Sequence, residues 1–181
     1  MENKIDKELK SERLLYRKLT LLDIDDMFEY TSNENCTYFL SWEAHTSKDQ
    51  VATFIKNTLE EYEMSETRFT WGIELIAENK LIGVISIFDI SYFNKRVEIS
   101  YILNPKYQGK GYMTEALNAI IRFIFNELDF IRVQARCTED NLSSEKVMKK
   151  INMKYEGKLI KYWKIKNKHK NVLIYARIND K

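Results

Sequence analysis

The chain has 181 residues, enough for one domain that buries roughly 70% of its unfolded surface without disulfide or metal staples. Its residues are 44% hydrophobic, 13% aromatic and 31% charged, a globular composition that excludes intrinsic disorder. Lys and Arg number 29 against 27 Asp and Glu, and the formal charge of +2 lacks the basic excess of a dedicated nucleic-acid binder.

Cys36 and Cys137 are too few for a disulfide framework, and with His45 and His169 they form no zinc-like spacing, so no metal is expected. The opening MENKIDKELKSER is polar and charged, unlike a signal peptide. LIGVISIF and AIIRFIF fall far short of the ~20 residues of a membrane span. The expectation is a soluble, cytoplasmic, single domain over residues 1–181.

RLLYRK (13–18) reads as a strand, and a helix follows over 21–30 with Thr20 as N-cap ahead of Asp23. Residues 33–46 read as a loop holding Tyr38, Phe39 and Trp42. Ser47 caps a second helix whose apolar positions Val51, Phe54, Ile55 and Leu59 have helical spacing. Segments 69–75, 81–88 and 96–103 are rich in Ile, Val and aromatics and are separated by AENK and YFNK, the pattern of an antiparallel meander. Pro105 stops the third strand. A helix then starts near Tyr112, with the stripe Leu117, Ile120, Ile121, Ile124 and Leu128. A strand over 132–137, a helix over 141–151 closed by Asn152, and a hairpin of 153–165 with 172–177 around KNKHKN complete the chain. The order predicts an α+β fold: a mixed, mostly antiparallel sheet of about seven strands with about four helices.

Gly109-Lys110-Gly111 stands between a strand and a helix start. Unpaired N–H groups there, aided by the helix dipole, make an anion site, and glycines admit phosphate oxygens to the backbone. The same residues also suit a bare strand-to-helix turn. A P-loop is excluded because Gly111 follows Lys110 where Lys-Ser/Thr is needed. A dinucleotide fingerprint is excluded because Thr114 stands at the third glycine position.

Lys106-Tyr107-Gln108-Gly109-Lys110-Gly111 resembles the acetyl-CoA loop (R/Q)-x-x-G-x-(G/A) of the GNAT N-acetyltransferases, with a lysine at the first position. The string RVEISYILNPKYQGKGYMTEAL is similar to the RimJ/RimL branch, which acetylates protein N-terminal amines, small amines and some antibiotics. DNLSS and KKINMKYEG match a second family block, N-x-x-S followed by K-x-G-F-x-x-E-G. Asn141, Ser144, Lys150, Glu156 and Gly157 are in register, while Asn152 and Met153 replace the family's Gly and Phe.

The resemblance implies a GNAT fold in which a splayed strand pair holds acetyl-CoA. Its pyrophosphate would lie on the amides of Gln108, Gly109, Lys110, Gly111, Tyr112 and Met113, and its pantetheine arm along Tyr101, Ile102 and Leu103. Asn141 would cap a helix, bind pantetheine, or do both. Glu98 shares a strand face with Ser100 and Ile102 and is the candidate base, with an ion-paired strand glutamate as the alternative. Ser144 would hydrogen-bond the departing sulfur or only its own helix backbone. The tyrosine that many relatives use as acid is replaced by Met148, which has no proton to give.

The resemblance also puts the amine acceptor beside the N-terminal helices. Asp23, Asp25, Asp26, Glu29, Glu60, Glu61, Glu63 and Glu66 read there as a rim attracting a cationic amine or as solvated helix faces. Tyr38 and Trp42 are the candidate acceptor-binding residues, with a satellite core as the alternative. The six lysines between Lys158 and Lys170 read as the wet face of a hairpin in preference to a nucleic-acid surface. Membrane contact is not expected, and a homodimer is left open. Glu98 and Ser144 together favour a working enzyme over a non-catalytic CoA- or amine-binding module.

Overall fold

The computed structural model describes residues 8–64 and 68–179; Glu66 of the acidic series lies outside them. Strands β1 (Leu9–Lys10) and β2 (Leu14–Arg17) lead into a 3-10 turn at Leu21–Asp23 and helix α1 (Ile24–Thr31). The sequence predicts one continuous helix here. The first turn is tighter because the Asp23 carboxylate accepts the Thr20 N–H at 2.7 Å and both Arg17 Nη groups at 2.8 and 2.9 Å.

Helix α2 (Glu34–Thr37) lies inside the segment read as a loop, started by the Asn33 side chain accepting the Asn35 N–H. One turn is too short to show a period. Helix α3 (Lys48–Met64) and strands β3 (Phe69–Leu75), β4 (Lys80–Ser91) and β5 (Arg96–Leu103) follow as an antiparallel meander. A 3-10 turn at Pro105–Tyr107 leads to α4 (Tyr112–Asn126), β6 (Arg132–Thr138), α5 (Leu142–Lys150), β7 (Lys154–Ile165) and β8 (Lys168–Ile178).

The sheet has eight strands in the order β1-β2-β3-β4-β5-β6-β8-β7. The additions to the expected set are the two-residue β1 and the one-turn α2, both below the length at which a pattern registers. The final hairpin is also tighter than its composition suggests. Lys166 and Asn167, both at positive φ, make the turn, and Lys164 pairs with His169.

Strand alternation decides which face each side chain serves. Val97 and Ile99 pack in the cluster that takes the α4 stripe Met113, Ala116, Leu117, Ile120, Ile121 and Ile124, together with Val133 and Ala135 of β6. Ile102 packs on the opposite face with Leu19, Met27, Tyr30, Val51, Ile55 and Val84, under α1 and α3.

β5 and β6 are the parallel pair, and they pair only from Arg96 to Glu98 against Arg132 to Gln134. Beyond that point β5 stays on β4 through Leu103, and β6 stays on β8 through Thr138. The two strands therefore part, leaving backbone groups of β5 on that edge without a strand partner. This is the splay the resemblance predicts.

Glu29 ties α1 to the start of β4 and to the turn after β5. It accepts from Lys80 at 2.7 Å, pairs with Lys106 at 2.9 Å and accepts from Asn104 at 3.2 Å. Lys80, with Lys106 next, pulls its carboxyl down to about 2. A depressed carboxyl stabilises the fold above the unfolded value of about 4.3, and loses that contribution as pH falls toward the folded value. Glu29→Gln should cost on the order of 1 kcal/mol at pH 7, because partial exposure screens the cluster. The difference from wild type in denaturant melts should shrink between about pH 4 and pH 2; a constant difference would refute the ionic origin.

Candidate active site

Two cavities of about 390 Å³ each open along the splayed edge of β5. The first lies between β5, the loop before α4, and α5. The second lies between α1, the segment after α2, and the opposite face of β4 and β5. Leu40, Tyr101 and Ile102 line both, so the cavities meet at the strand edge.

Two glycines shape the loop wall of the first cavity. Gly109 (φ +77°) and Gly111 (φ +84°) take left-handed conformations, and Gly111 is the N-cap of α4. The first intrahelical bond of α4 runs from Glu115 N–H to Gly111 O, which leaves the amides from Gly109 to Met113 for an anion; the Gln108 N–H, expected among them, donates to Pro105 O at 3.2 Å. A Cβ at Gly109 would meet nothing within 4 Å, and one at Gly111 only the Arg13 guanidinium at 3.6 Å. The space above the loop is open. Lys146 and Lys150 of α5 line its far side and can pair with phosphate charge.

Arg13 holds this loop in place, which the sequence did not reveal. Its Nη1 donates to Lys110 O at 3.1 Å, its Nε to Glu115 at 2.7 Å, and its guanidinium covers the Tyr112 ring at 4.4 Å. Glu115 also accepts the Ser11 hydroxyl and the Arg13 N–H. The Lys110 ammonium lies over the Tyr107 ring, outside the cavity lining.

Tyr101, Ile102, Leu103, Gln108, Tyr112 and Met113 line the first cavity. The Gln108 side chain donates to Leu103 O at 3.2 Å and so occupies one acceptor on the strand edge. Asn141 lines the same cavity and is a cap: its Oδ1 accepts the Ser144 N–H at 3.1 Å and the Ser143 hydroxyl at 2.8 Å. Ser144 Oγ lies 2.7 Å from Tyr101 Oη, across from β5 and beside the junction of the cavities. Burial pushes the Tyr101 phenol well up, so it stays a donor. Tyr101 Oη also lies 3.2 Å from Ser144 O. Both contacts are hydrogen bonds only if the phenol donates to that carbonyl and the serine hydroxyl donates to Tyr101 Oη, so the serine hydrogen reaches the cavity by turning away from Tyr101. Met148, at the position of the family's acid, is fully buried core.

Glu98 takes the paired arrangement. Its Oε1 accepts Arg136 Nε at 2.6 Å and its Oε2 accepts Gln134 Nε2 at 3.0 Å. It is 1% exposed and lines neither cavity. Strand alternation gave its face correctly, but the face is covered at that point by the longer side chains of β6. The partner is Arg136, not the nearby Arg96 or Lys95, which pair with Asp89 and Asp129.

The second cavity is mostly apolar. Met27, Tyr30, Leu40, Trp42, Phe54, Val84 and Ile102 supply its walls, with Thr31, His45, Arg68, Ser86, Ser100 and Tyr101 as the polar members. Trp42, a candidate acceptor-binding residue, lines this cavity. Tyr38 does not: it is half exposed, packs edge-on against Phe39 at 4.8 Å and sits under Lys166. Phe39 lines the first cavity instead.

The acidic rim dissolves into ion pairs. Asp23 is buried on Arg17, Asp26 and Glu29 face Lys80, Asp25 meets Lys48, and Glu61 meets Arg68. None of these carboxylates lines either cavity. In the basic run, Lys158, Lys166 and Lys170 pair with Glu139, Glu43 and Asp140. No described helix is long and apolar enough to cross a membrane, and no metal-holding cluster occurs among the described residues.

Comparison with known proteins agrees with this geometry. The family model for the acetyltransferase (GNAT) domain matches residues 13–154. The chain is 35% identical to the uncharacterized N-acetyltransferase YnaD of Bacillus subtilis over 150 residues, 82% of this chain and 84% of that one. It is 34% identical over 106 residues to the ribosomal-protein-serine acetyltransferase of Escherichia coli, 59% of each chain. A solved GNAT-family acetyltransferase from Bacillus anthracis superposes with a TM-score of 0.85 at 29% identity, covering 97% of this chain and 100% of that one. A splayed β5–β6 pair, an anion-binding loop on its edge and these relatives lead to one assignment: the chain belongs to the GNAT family and is an acetyltransferase that uses acetyl-CoA.

Proposed function

We propose that the protein transfers the acetyl group directly from acetyl-CoA in the first cavity to a primary amine in the second. We further propose that it does so as a single-domain cytoplasmic enzyme of the RimJ/RimL-like branch. The observation carrying this reading is the meeting of the cavities at Tyr101 and Ile102, with Ser144 bonded to Tyr101 there. The pyrophosphate would rest on the amides from Gly109 to Met113, and the pantetheine arm on the free edge of β5. That arrangement would leave the thioester at the junction, in reach of an amine from the other side.

The lining of the second cavity favours an amine on an apolar or aromatic body, such as the end of a peptide with a bulky first residue or a small arylalkylamine. A polyamine carries further ammonium groups that need carboxylates, and no described lining residue is one. Purified protein, given acetyl-CoA and phenethylamine, peptides with apolar or acidic first residues, or spermidine, should release free thiol fastest with the first two. Fastest turnover of spermidine would overturn the acceptor class, and acetyl-CoA binding without thiol release on any amine would point to the non-catalytic module.

Ser144 would donate a hydrogen bond to the departing sulfur. Ser144→Ala should lower kcat about tenfold, less than the roughly 10²–10³-fold usual for loss of one donor, because Tyr101 Oη remains beside the site. Acetyl-CoA affinity should change little. A loss confined to KM would assign Ser144 to binding alone.

A further inference from the structure

Acetyl transfer needs a neutral amine and a place for the proton it sheds. Glu98 is closed off by Arg136 and Gln134, and the described lining of the second cavity holds no carboxylate. Four ionisable groups line that cavity: Tyr30, His45, Arg68 and Tyr101. Arg68, which also pairs with Glu61, carries a guanidinium that has donors but no acceptor. Burial pushes the phenols of Tyr30 and Tyr101 upward, so neither ionises near neutrality. His45 remains.

Proton counting points to one tautomer. Thr31 Oγ1 carries one hydrogen and lies 2.9 Å from Met27 O and 3.0 Å from His45 Nδ1. Both contacts are hydrogen bonds only if the hydroxyl donates to Met27 O, a carbonyl that can only accept, and accepts from His45 Nδ1–H. The lone pair is then on Nε2. The ring is held besides by the His45 N–H donating to Thr31 O at 3.0 Å, and by stacking on Trp42 at 4.9 Å with a 21° tilt. A carbonyl, a hydroxyl and an imidazole in series orient one nitrogen as donor and present the other as acceptor.

We propose that His45 is the general base of this transferase, its Nε2 taking the proton of the attacking amine. The inference rests on the second cavity being the acceptor site. The amine lone pair forms the bond to the thioester carbonyl carbon, and the carbon–sulfur bond breaks with its electron pair on sulfur. One nitrogen-bound proton passes to Nε2 and later to water. The sulfur takes a proton through the Ser144 hydroxyl, which is refilled from solvent, so the products are the amide and the CoA thiol. Partial burial lowers the imidazole below its ordinary value, which keeps the base form populated at neutral pH. The carboxylate nearest in sequence, Glu43, is engaged by Lys166.

The test uses the full chain, acetyl-CoA and phenethylamine, with His45→Gln and Thr31→Val as variants. His45→Gln keeps a hydrogen-bonding side chain of similar reach but cannot take a proton, and should lose about 10²-fold in kcat/KM at pH 7 with acetyl-CoA affinity unchanged. In wild type, log(kcat/KM) should steepen below the imidazole value, where amine and base both protonate; in His45→Gln that break should vanish. Nitrogen-15 spectra of the imidazole should show the Nδ1–H tautomer, mixed in Thr31→Val. An intact break in His45→Gln, or an Nε2–H tautomer in wild type, would overturn the proposal. If wild type turns over spermidine but not phenethylamine, the acceptor reading falls. If it turns over phenethylamine with the break kept in the variant, only the base assignment falls.

Discussion

Glu98→Gln is expected to lower stability by about 3 kcal/mol and to leave the pH dependence of turnover unchanged in shape. The carboxylate is 2% exposed and its Arg136 partner 18%. Removing one charge of such a pair leaves the other desolvated and uncompensated, a loss of about 3–5 kcal/mol when both are fully buried. Arg136 keeps some solvent, a bond to Tyr162 Oη at 3.1 Å and the rings of Tyr162 and Trp163 at 5.5 and 5.6 Å, which puts the effect at the low end. For a chain of this length the melting temperature should fall by about 6–12 °C. Replacing both partners, as Glu98→Leu with Arg136→Met, should recover much of that loss, since a packed apolar pair costs no desolvation. A Glu98→Gln protein that melts like wild type but turns over about 10²-fold slower, recovering at high pH, would return the base role to Glu98.

The fold was legible wherever one face of an element is buried over several turns or residue pairs. The α4 stripe declared itself because every third to fourth side chain meets the core, and β3 and β4 because they are buried in unbroken apolar-rich runs. The misses have local causes. α2 is one turn long, β1 is two residues, and the start of α1 is retuned by Arg17 binding Asp23. The outer strand β7 is mostly exposed, yet its place as the first arm of the final hairpin was legible, and β8 pairs along it.

The site was legible in part for a different reason. The loop at Gly109 and Gly111, the cap at Asn141 and the serine at Ser144 belong to contiguous motifs, and each lines the first cavity. The second cavity is assembled from single residues on α1, α3, β4 and β5, none with a local signature. Thr31 and His45 are fourteen residues apart and meet only because the chain doubles back after α2. Charges misled most. Asp23, Asp26 and Glu29 look like an acidic surface in one dimension, and Arg17, Lys80 and Lys106 neutralise them in three. Only a fold supplies those partners.

Acetyl-CoA affinity should fall by about tenfold or more in both Gly109→Ala and Gly111→Ala, beyond anything their stability loss explains. Both positions are left-handed, where a Cβ costs about 1–2 kcal/mol in backbone strain. That cost falls on the folded protein with or without ligand, and melts will show it. The methyl itself meets nothing within 4 Å at position 109 and only Arg13, at ordinary contact distance, at position 111. The fold therefore has no steric quarrel with either side chain. A phosphate seated on the amides at the start of α4 does, because it needs the backbone bare to reach them. A tenfold loss corresponds to about 1.4 kcal/mol, the cost of holding the anion farther from those dipoles. Calorimetry on each variant, at a temperature where melts show it fully folded, separates strain from blockage. Lowered melting temperatures with wild-type affinity would mean that the glycines serve the turn alone and that the pyrophosphate lies elsewhere.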